Sequence, residues 1–238
     1  MSSYPYAFHA GEPLSGLTEF THSLPSVGAG LWVTVQATVL GAALALLLAF
    51  VLGFMARSRR LLVRGSSRVV VEFFRGTSLY VQMFWLFFAL PILGFKLVPL
   101  ACAVVAFGLN YGAYGSEVVR GALDAVPRGQ REAAVALSMT PWQRMRLVVL
   151  PQAWPQMIPP FNNLLIQLLK CTPLMSLITI SDVTFQMDQL RSTTGDTATA
   201  YLLLLVVYFV LAYALTLAMN GLESVAKARL GQPAGGRA

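Results

Sequence analysis

Charged residues are scarce in this sequence. Only 11% of the 238 residues are Asp, Glu, Lys or Arg, whereas 56% are hydrophobic, and the mean hydropathy is +0.65. An average soluble domain has about 25% charged residues, so this composition argues against that class. Long apolar runs separated by short polar segments instead predict an all-α membrane protein, because a helix satisfies its own backbone hydrogen bonds in lipid.

Cysteine and histidine are also rare. The sequence has two cysteines, Cys102 and Cys171, both in apolar segments, and two histidines, both near the N-terminus. Their number and placement imply no disulfide framework and no metal-ligand cluster. The sequence contains no GxxxxGK[ST] phosphate loop and no HExxH pair, and GAYGSE (112–117) has no base nearby to make a serine nucleophile. We therefore expect no catalytic site, no metal and no bound cofactor in this chain.

Five apolar runs are long enough to cross the ~30 Å hydrocarbon core of a bilayer, which takes about 20 helical residues. They are predicted to cover about residues 30–55, 69–93, 98–119, 154–178 and 199–222. Residues 1–28 are predicted to form an outside tail that could carry a short interfacial helix near residues 14–20. The first residues lack a basic segment followed by an apolar core, so no cleavable signal peptide is expected.

The arginine and lysine residues predict the orientation, because cytoplasmic loops of membrane proteins are enriched in both. Fourteen of the 17 basic residues lie in segments that five spans place on the inner side. An even number of spans would put one arginine-rich segment outside. We therefore predict an external N-terminus and a cytoplasmic C-terminus. The same pattern explains the net charge of +7 without a nucleic-acid partner.

These spans divide the chain into three predicted parts. A periplasmic tail (1–28) precedes a transmembrane domain (29–224), and a cytoplasmic tail (225–238) follows it. Within the domain, residues 121–152 form a cytoplasmic loop, which we call the coupling loop. Residues 129–137 of this loop are predicted to form a short helix covered by alanines, which would let another protein approach closely.

A second helix of the coupling loop is predicted to begin at Pro141, after the N-cap Thr140. It is predicted to end before Pro151, because proline inside a helix removes a hydrogen bond. With its alanine surface and its basic residues, the loop is typical of a cytoplasmic docking element.

The coupling loop also resembles a known motif. The sequence EAA (132–134), followed by Ser138, Val148, Leu150 and Pro151, resembles the EAA loop of ABC-importer permeases. Segments 71–84, 111–130 and 164–182 resemble the corresponding segments of polar amino-acid permeases of the histidine, glutamine and arginine type. The resemblance covers about residues 31–222. It implies the type I ABC-importer permease fold and a location in the bacterial cytoplasmic (inner) membrane.

The resemblance implies a permease subunit of an ATP-driven, binding-protein-dependent importer. Its partners would be two copies of an ABC ATPase subunit, a second permease of the same or a related sequence, and a periplasmic or lipid-anchored solute-binding protein. ATP and Mg²⁺ would bind to the ATPase, so this chain would not be an enzyme. The residues implied to couple it to the ATPase are Gly129, Glu132, Ala133, Ala134, Leu137, Ser138, Leu150 and Pro151.

Polar residues inside the spans are candidates for the substrate pathway, because hydrocarbon penalises an unsatisfied polar group. These candidates are Gln82, Asn110, Tyr114, Glu117, Gln167, Lys170 and Thr172. Lys170 either extends toward the outer surface or lines the pathway as a cation. Glu117 either forms an ion pair with Arg120, three residues on, or contacts the substrate. On the outer side, the expected landing surface for a solute-binding protein contains Asp182, Asp188, Arg191 and Asp196.

The sequence departs from the family pattern at four positions. Serine replaces proline at position 78, cysteine replaces aspartate at 171, proline replaces serine at 173, and serine replaces glycine at 138. Loss of the acidic residue beside Lys170 argues against a cationic amino acid as substrate and leaves a polar amino acid or a zwitterion such as ectoine. At Ser138, either the turn is built differently or the helix runs longer, because glycine suits a left-handed helix end better.

Two alternatives of another class stay open on the sequence alone. The chain could be a membrane assembly or structural subunit, or a secondary transporter without an ATPase partner. Few spans, no visible inverted repeat and the basic coupling loop argue against the secondary transporter.

Overall fold

The computed structural model describes the backbone of residues 13–229 and the side chains of residues 25–221. The described part is helical and contains no strand, as the composition predicts. Its α-helices are α1 (Pro13–Met55), α2 (Leu61–Gly76), α3 (Leu79–Phe84), α4 (Pro99–Ala125), α5 (Arg128–Ala136), α6 (Pro141–Arg144), α7 (Leu150–Cys171), α8 (Val183–Thr194) and α9 (Thr197–Arg229). Two π-helical segments (Trp85–Ala89 and Met145–Val149) and two 3-10 segments (Leu90–Leu93 and Thr172–Ile178) continue α3, α6 and α7.

Helix α1 begins far before the predicted first span. It is one helix of 43 residues with Pro25 inside it, so the predicted outside tail is helical from Pro13 onward and continuous with the span. Extending an existing helix costs less than nucleating a separate one, and this explains why no break separates the two. Residues 1–12 and the C-terminal residues 230–238, predicted as parts of the two tails, lie outside the described part.

Helices α1 and α9 meet the requirements for crossing a membrane. Within the described side chains, residues Pro25–Met55 and Thr197–Gly221 are long and apolar enough, and two bent helix pairs would raise the number of spans to four. Helix α4 has 27 residues, or about 40 Å at ~1.5 Å per residue, which is a sufficient length. Its polar residues and charged inner end lower its hydropathy. Five spans and their orientation stay predictions.

The predicted second span, residues 69–93, is not one straight helix. Helix α2 ends at Gly76, and the segment Leu79–Leu93 leaves at an angle of 101° to it. The two residues between them, Thr77 and Ser78, have extended backbone. Helix α2 also begins at Leu61, eight residues before the predicted span, so the basic residues after α1 lie partly on a helix.

Close packing of α1 against α4 forms the centre of the molecule. A Cβ atom at Gly108 would lie 2.5 Å from the Leu44 side chain, and one at Gly112 would lie 2.7 Å from Leu48 Cβ. Only glycine therefore permits this helix separation at both positions. Small residues at helix contacts are the usual means by which membrane helices approach each other closely.

Helix α6 does not end before Pro151, so the prediction of a helix end there is wrong. It continues through the π-helical segment Met145–Val149 into α7, where the Leu150 amide donates to the Met145 carbonyl. In an α-helix, the ring of Pro151 would clash with the carbonyl four residues earlier. The wider π turn relieves that clash, which is why the helix runs on. Further prolines follow inside α7, at Pro155, Pro159 and Pro160.

Helix α8 forms a hairpin with α9. The 3-10 segment after α7 ends at Ile178, as predicted for the fourth span, and α8 leaves at 55° to the helix before it. Gly195, with φ of 71°, closes α8 before the chain returns as α9. The buried residues Val183 and Met187 of α8 pack against α1 and α9.

Candidate functional site

Helix α5 matches the predicted alanine-covered helix to within one residue at each end. Gly129, Glu132 and Ala133 are exposed on it, whereas Ala134 is 2% exposed and faces the protein. One side of α5 is therefore fixed against the molecule and the other is free. Of the alanines in the EAA sequence, Ala133 is the one that a partner could touch.

The turn after α5 is a left-handed helix end built on serine. Ser138 has φ of 56°. Its amide donates to the Val135 carbonyl at 2.9 Å, and the Met139 amide donates to the Ala134 carbonyl at 3.1 Å. These two bonds are the pattern that glycine usually supports at this position. The turn is thus the ordinary one and the helix is not longer, so neither expectation drawn from the serine is correct.

The second part of the coupling loop begins as predicted. Thr140 caps α6 in a capping box: its hydroxyl accepts from the Gln143 amide, and the Gln143 side chain accepts from the Thr140 amide. Further along, Leu150 is half-buried and Pro151 is exposed in the first turn of α7.

Exposed apolar side chains cover the loop, although it is rich in arginine. Leu137 is 72% exposed and Trp142 is 71% exposed. Val135 and Leu147 are exposed as well. Apolar groups gathered on a polar segment are typical of a protein interaction surface. Of these four residues, only Leu137 is among the predicted coupling residues. Bulky apolar residues in a basic loop were the available signal for the others.

Polar contacts join α5 to both of the long helices beside it. The Arg131 guanidinium donates from Nη2 to the Leu123 carbonyl near the end of α4. The Gln152 side-chain amide of α7 donates to the Gln130 side-chain oxygen at 3.3 Å. Helix α5 is therefore hydrogen-bonded to both α4 and α7.

Two predicted pathway residues, Gln82 and Asn110, lie together at the break between α2 and α3. Both are buried, and the amide of each donates to the Phe74 carbonyl at 3.0 Å. Gln82 also donates to the Thr77 hydroxyl at 2.7 Å. The break leaves backbone carbonyls of α2 without helical partners, and these amides satisfy them. Their contacts in this chain are therefore structural.

Two other predicted residues lie on α4, where Tyr114 is exposed and Glu117 is half-buried. The Tyr114 hydroxyl donates to the Arg75 carbonyl at 3.4 Å, and the Arg75 guanidinium lies 5.3 Å from the centre of the Tyr114 ring. Glu117 forms an ion pair with Arg120 at 2.6 Å. The i,i+3 pair expected from the sequence is thus present.

The ion pair at the end of α4 extends to α1. Arg120 also contacts Asp124 at 3.4 Å, and Asp124 pairs with Arg57, which follows α1. Arg120 and Asp124 are exposed and Arg57 is half-buried, and ion pairs at such surface positions contribute little stability individually. They nevertheless connect the predicted inner ends of α1 and α4 across a gap of 67 residues in the sequence.

The remaining predicted pathway residues lie on α7 and just after it. Gln167 and Lys170 are exposed. Lys170 lines a cavity of about 310 Å³ between α7 and α9 and has no ion-pair partner among the described residues. Thr172 is fully buried, and its hydroxyl donates to the Leu169 carbonyl at 2.8 Å. Within this one chain the predicted pathway residues therefore form separate groups rather than one site.

Of the four residues expected on the outer landing surface, one is not at the surface. Asp182 is fully buried, because its carboxylate caps α8 by accepting from the Phe185 amide at 3.0 Å. Asp188 and Arg191 form a surface ion pair at 2.8 Å, which raises the pKa of Arg191. Hydrogen bonds from Thr199 lower the pKa of Asp196. The outer surface thus presents charges of both signs.

A polar group forms inside the protein where α8 begins. In it, the hydroxyls of Thr34 of α1 and Tyr208 of α9, which the sequence did not single out, join Asp182 and Thr172. Isolated threonine and tyrosine residues in apolar runs were the available signal, but their pairing depends on tertiary structure.

Comparison with known proteins gives consistent results. Residues 41–224 match the family described as binding-protein-dependent transport system inner membrane component. The probable amino-acid ABC transporter permease protein y4tF of Sinorhizobium fredii is 45% identical over 207 residues, covering 84% of this chain and 87% of that protein. The glutamine transport system permease protein GlnP of Escherichia coli is 30% identical over 203 residues, covering 84% and 93%.

A solved structure agrees in fold. The crystal structure of an amino acid ABC transporter with histidines has a TM-score of 0.80 and 30% identity, and the match covers 89% of this chain and 97% of that chain. An inward-facing MetNI methionine ABC transporter has a TM-score of 0.71 at 21% identity, covering 85% and 97%, and supports the fold alone.

Proposed function

Because this chain belongs to the family of binding-protein-dependent transport system inner membrane components, we propose that its coupling loop transmits ATPase motion to a pathway for polar amino acids. The chain is a multi-pass permease subunit of an amino-acid ABC importer in the inner membrane, and ATP hydrolysis lies in separate ATPase subunits.

Helix α5 carries the proposal, because one of its sides packs against the protein and the other is exposed. Its free side offers Glu132 and Ala133, with Leu137 and Trp142 exposed beside it. Its fixed side is joined to α4 and α7 by hydrogen bonds. Two copies of an ATPase subunit would grip the free side, with ATP and Mg²⁺ bound to the ATPase. Their closure would move α5 and tilt α4 and α7 between inward-open and outward-open states.

The pathway is proposed to lie between this chain and a second permease of the same or a related sequence. Tyr114 on α4 and Gln167 and Lys170 on α7 are exposed, and Glu117 on α4 is half-buried, so their side chains are available to such a partner or to a solute. Gln82, Asn110 and Thr172 would support the pathway without touching the solute, because their hydrogen bonds are made within the chain.

A polar or zwitterionic solute suits the charges near Lys170. Cysteine at position 171, where the family commonly has aspartate, leaves Lys170 without a neighbouring carboxylate to balance it. An unpaired cation can attract a carboxylate and repels a cationic side chain. The proposed substrates are therefore polar amino acids or a related zwitterion such as ectoine. A solute-binding protein would deliver them to the surface bearing Asp188, Arg191 and Asp196.

Replacement of Ala133 by arginine tests the coupling. We expect Ala133→Arg to enter the membrane normally but to lower ATP-dependent uptake at least about tenfold, because loss of ~1.4 kcal/mol of docking energy already has that effect. Uptake is measured in proteoliposomes that contain the ATPase and the binding protein, with labelled glutamine, arginine and ectoine as probes. Ala133→Ser, which keeps a small side chain, serves as the matched control and should retain uptake.

Two outcomes would contradict the proposal. Normal ATP-driven uptake by Ala133→Arg would remove α5 from the mechanism. Uptake that proceeds without ATP, or failure of any ABC ATPase to co-purify with the chain, would favour a secondary transporter or an assembly subunit.

A further inference from the structure

A strained turn interrupts the helical path between α7 and α8. After the 3-10 segment Thr172–Ile178, Thr179 has φ of 65°, in the left-handed region. A β-branched residue rarely adopts this conformation, which persists only where the surroundings hold it. Two backbone hydrogen bonds close the turn, both at 3.3 Å. Other contacts must therefore hold the segments on either side of the break.

The Tyr208 hydroxyl of α9 contacts both sides of this break. It lies 3.1 Å from the Thr172 hydroxyl, at the start of the 3-10 segment, and 3.3 Å from the Thr184 hydroxyl, in the first turn of α8. It also lies 3.5 Å from Asp182 Oδ2, at the outer limit of a hydrogen bond. Thr172 and Asp182 are fully buried. No other described side chain hydrogen-bonds to both segments.

One assignment of the protons satisfies both threonine contacts of Tyr208. A tyrosine hydroxyl has one donor and two acceptor positions. The Thr172 hydroxyl donates to the Leu169 carbonyl at 2.8 Å, so its oxygen can accept the Tyr208 proton. The Thr184 hydroxyl can then donate to Tyr208. Both contacts are satisfied at the same time, and phenylalanine at position 208 would lose both.

The α8 side of the break is itself fixed to α1. The Val183 amide donates to the Thr34 hydroxyl at 3.4 Å. A Cβ atom at Gly30 would lie 2.9 Å from the Asp182 backbone carbonyl, so the chains touch there. Thr34 is fully buried and donates to the Gly30 carbonyl at 3.0 Å. Tyr208 therefore ties the 3-10 segment to a point that α1 holds in place.

We propose that the Tyr208 hydroxyl is a positioning group that holds the Lys170–Thr172 segment against the start of α8. Lys170 and Tyr208 line the same cavity of about 310 Å³. The hydrogen bonds of Tyr208 by themselves support its role in positioning the Lys170–Thr172 segment. Its consequence for transport rests on the proposed function, in which Lys170 lines the pathway.

The native thiol of Cys171 can report on this contact. Cys171 is half-buried, precedes Thr172 and accepts a hydrogen bond from the Tyr111 hydroxyl at 3.2 Å, whereas Cys102 is fully buried in the core cluster against which Cys171 packs. In Tyr208→Phe, we expect the rate of Cys171 modification by N-ethylmaleimide to rise about fivefold to tenfold, as expected for the loss of one or two hydrogen bonds. Mass spectrometry of the two cysteine peptides measures the rates in nanodiscs, and Cys102 serves as the internal control.

Two further variants make the test specific. Tyr201 lies on the same helix, and its exposed hydroxyl has no hydrogen-bond partner among the described residues. Tyr201→Phe should therefore leave the Cys171 rate unchanged. Thr184→Val removes the α8 partner of Tyr208, together with the hydrogen bond from Thr184 to the Asp182 side chain, and should raise the rate. If both act through one contact, the double variant Tyr208→Phe/Thr184→Val should not exceed Tyr208→Phe alone.

The outcomes separate this inference from the proposed function. An unchanged Cys171 rate in Tyr208→Phe, or equal increases at Cys102, would overturn the positioning role. A raised Cys171 rate with a lower maximal uptake rate supports both proposals. A raised Cys171 rate with unchanged uptake supports the positioning role and contradicts a pathway that passes Lys170.

Discussion

Ser138 occupies a conformation that favours glycine. Its φ of 56° lies in the left-handed region, and both backbone hydrogen bonds of the helix end are nevertheless formed. For a residue with a Cβ atom, this conformation costs roughly 1–2 kcal/mol. Glycine avoids that cost but loses about 0.5–1 kcal/mol through its more flexible unfolded chain. The end of α5 therefore retains strain at a single residue.

Substitution of Ser138 by glycine should make the end of α5 more stable. We expect Ser138→Gly to gain about 0.5–1 kcal/mol of local stability, because the relieved strain exceeds the added chain entropy. Hydrogen–deuterium exchange of residues 134–139 measures this as slower exchange, about twofold to fivefold. Ser138→Ala retains the Cβ atom and should show no gain. Equal protection in both variants would refute the strain.

Gln82 and Asn110 show how far a single residue can be interpreted from sequence. A buried amide inside an apolar run is a sound candidate for a substrate contact. In the structure, both amides instead donate to the Phe74 carbonyl that the break after α2 leaves unpaired. The break itself, at Thr77 and Ser78, contains no proline from which it could have been predicted.

At the scale of elements, the contact between α1 and α4 depends on glycines of both helices. Gly108 and Gly112 of α4 face Leu44 and Leu48 of α1, and Gly41 of α1 faces Phe107. Helices without hydrophobic driving force in lipid gain mainly from van der Waals packing, which falls steeply with distance. An added methyl group at this contact would force the helices apart.

Substitution of Gly108 by alanine tests this contact. We expect Gly108→Ala to lower the free energy of unfolding by about 1–3 kcal/mol, the usual cost of overpacking. Detergent-denaturant titration followed by circular dichroism measures the change. Gly121 of α4 is the matched control, since a Cβ atom there would meet nothing within 4 Å. Gly121→Ala should be neutral or slightly stabilising. Similar losses in both variants would mean that helix propensity, not the close contact, is responsible.

At the scale of the whole molecule, the distribution of arginine predicts which side each surface faces. The coupling loop carries four arginines, of which Arg128 and Arg146 are exposed, and α8 lies beyond the other end of α7. Cationic residues beside apolar spans are retained in the cytoplasm. The coupling loop and α8 should therefore be accessible from opposite sides of the membrane.

Labelling of single cysteines from outside the cell tests this orientation. Ala133 and Ser192 are both exposed. We expect a membrane-impermeant maleimide to label Ser192→Cys in intact spheroplasts and to label Ala133→Cys only after permeabilisation. The chain with only its native Cys102 and Cys171 gives the background. Labelling of Ala133→Cys in intact spheroplasts would invert the topology and exclude ATPase docking on α5.

The local features of the coupling loop could be predicted, since they depend on neighbouring residues. Thr140 caps α6 because its hydroxyl reaches an amide three residues away, and α5 forms from an alanine-rich stretch without proline. The end predicted at Pro151 failed because a π-helical segment accommodates the ring. A rule about a proline in an ideal α-helix does not include that solution.

By itself, the sequence determined that this chain is a helical membrane protein with an alanine-surfaced loop between apolar segments. Composition, helix propensity and charge distribution depend on the residue types themselves and on their near neighbours in the sequence, so they can be interpreted without knowledge of the fold. Tertiary structure decided which side chains meet. It turned Ala134 and Asp182 inward, directed two amides to a broken helix, and brought Tyr208 to Thr172, which is 36 residues away in the sequence. Those contacts depend on how whole helices pack, and a linear pattern does not specify that packing.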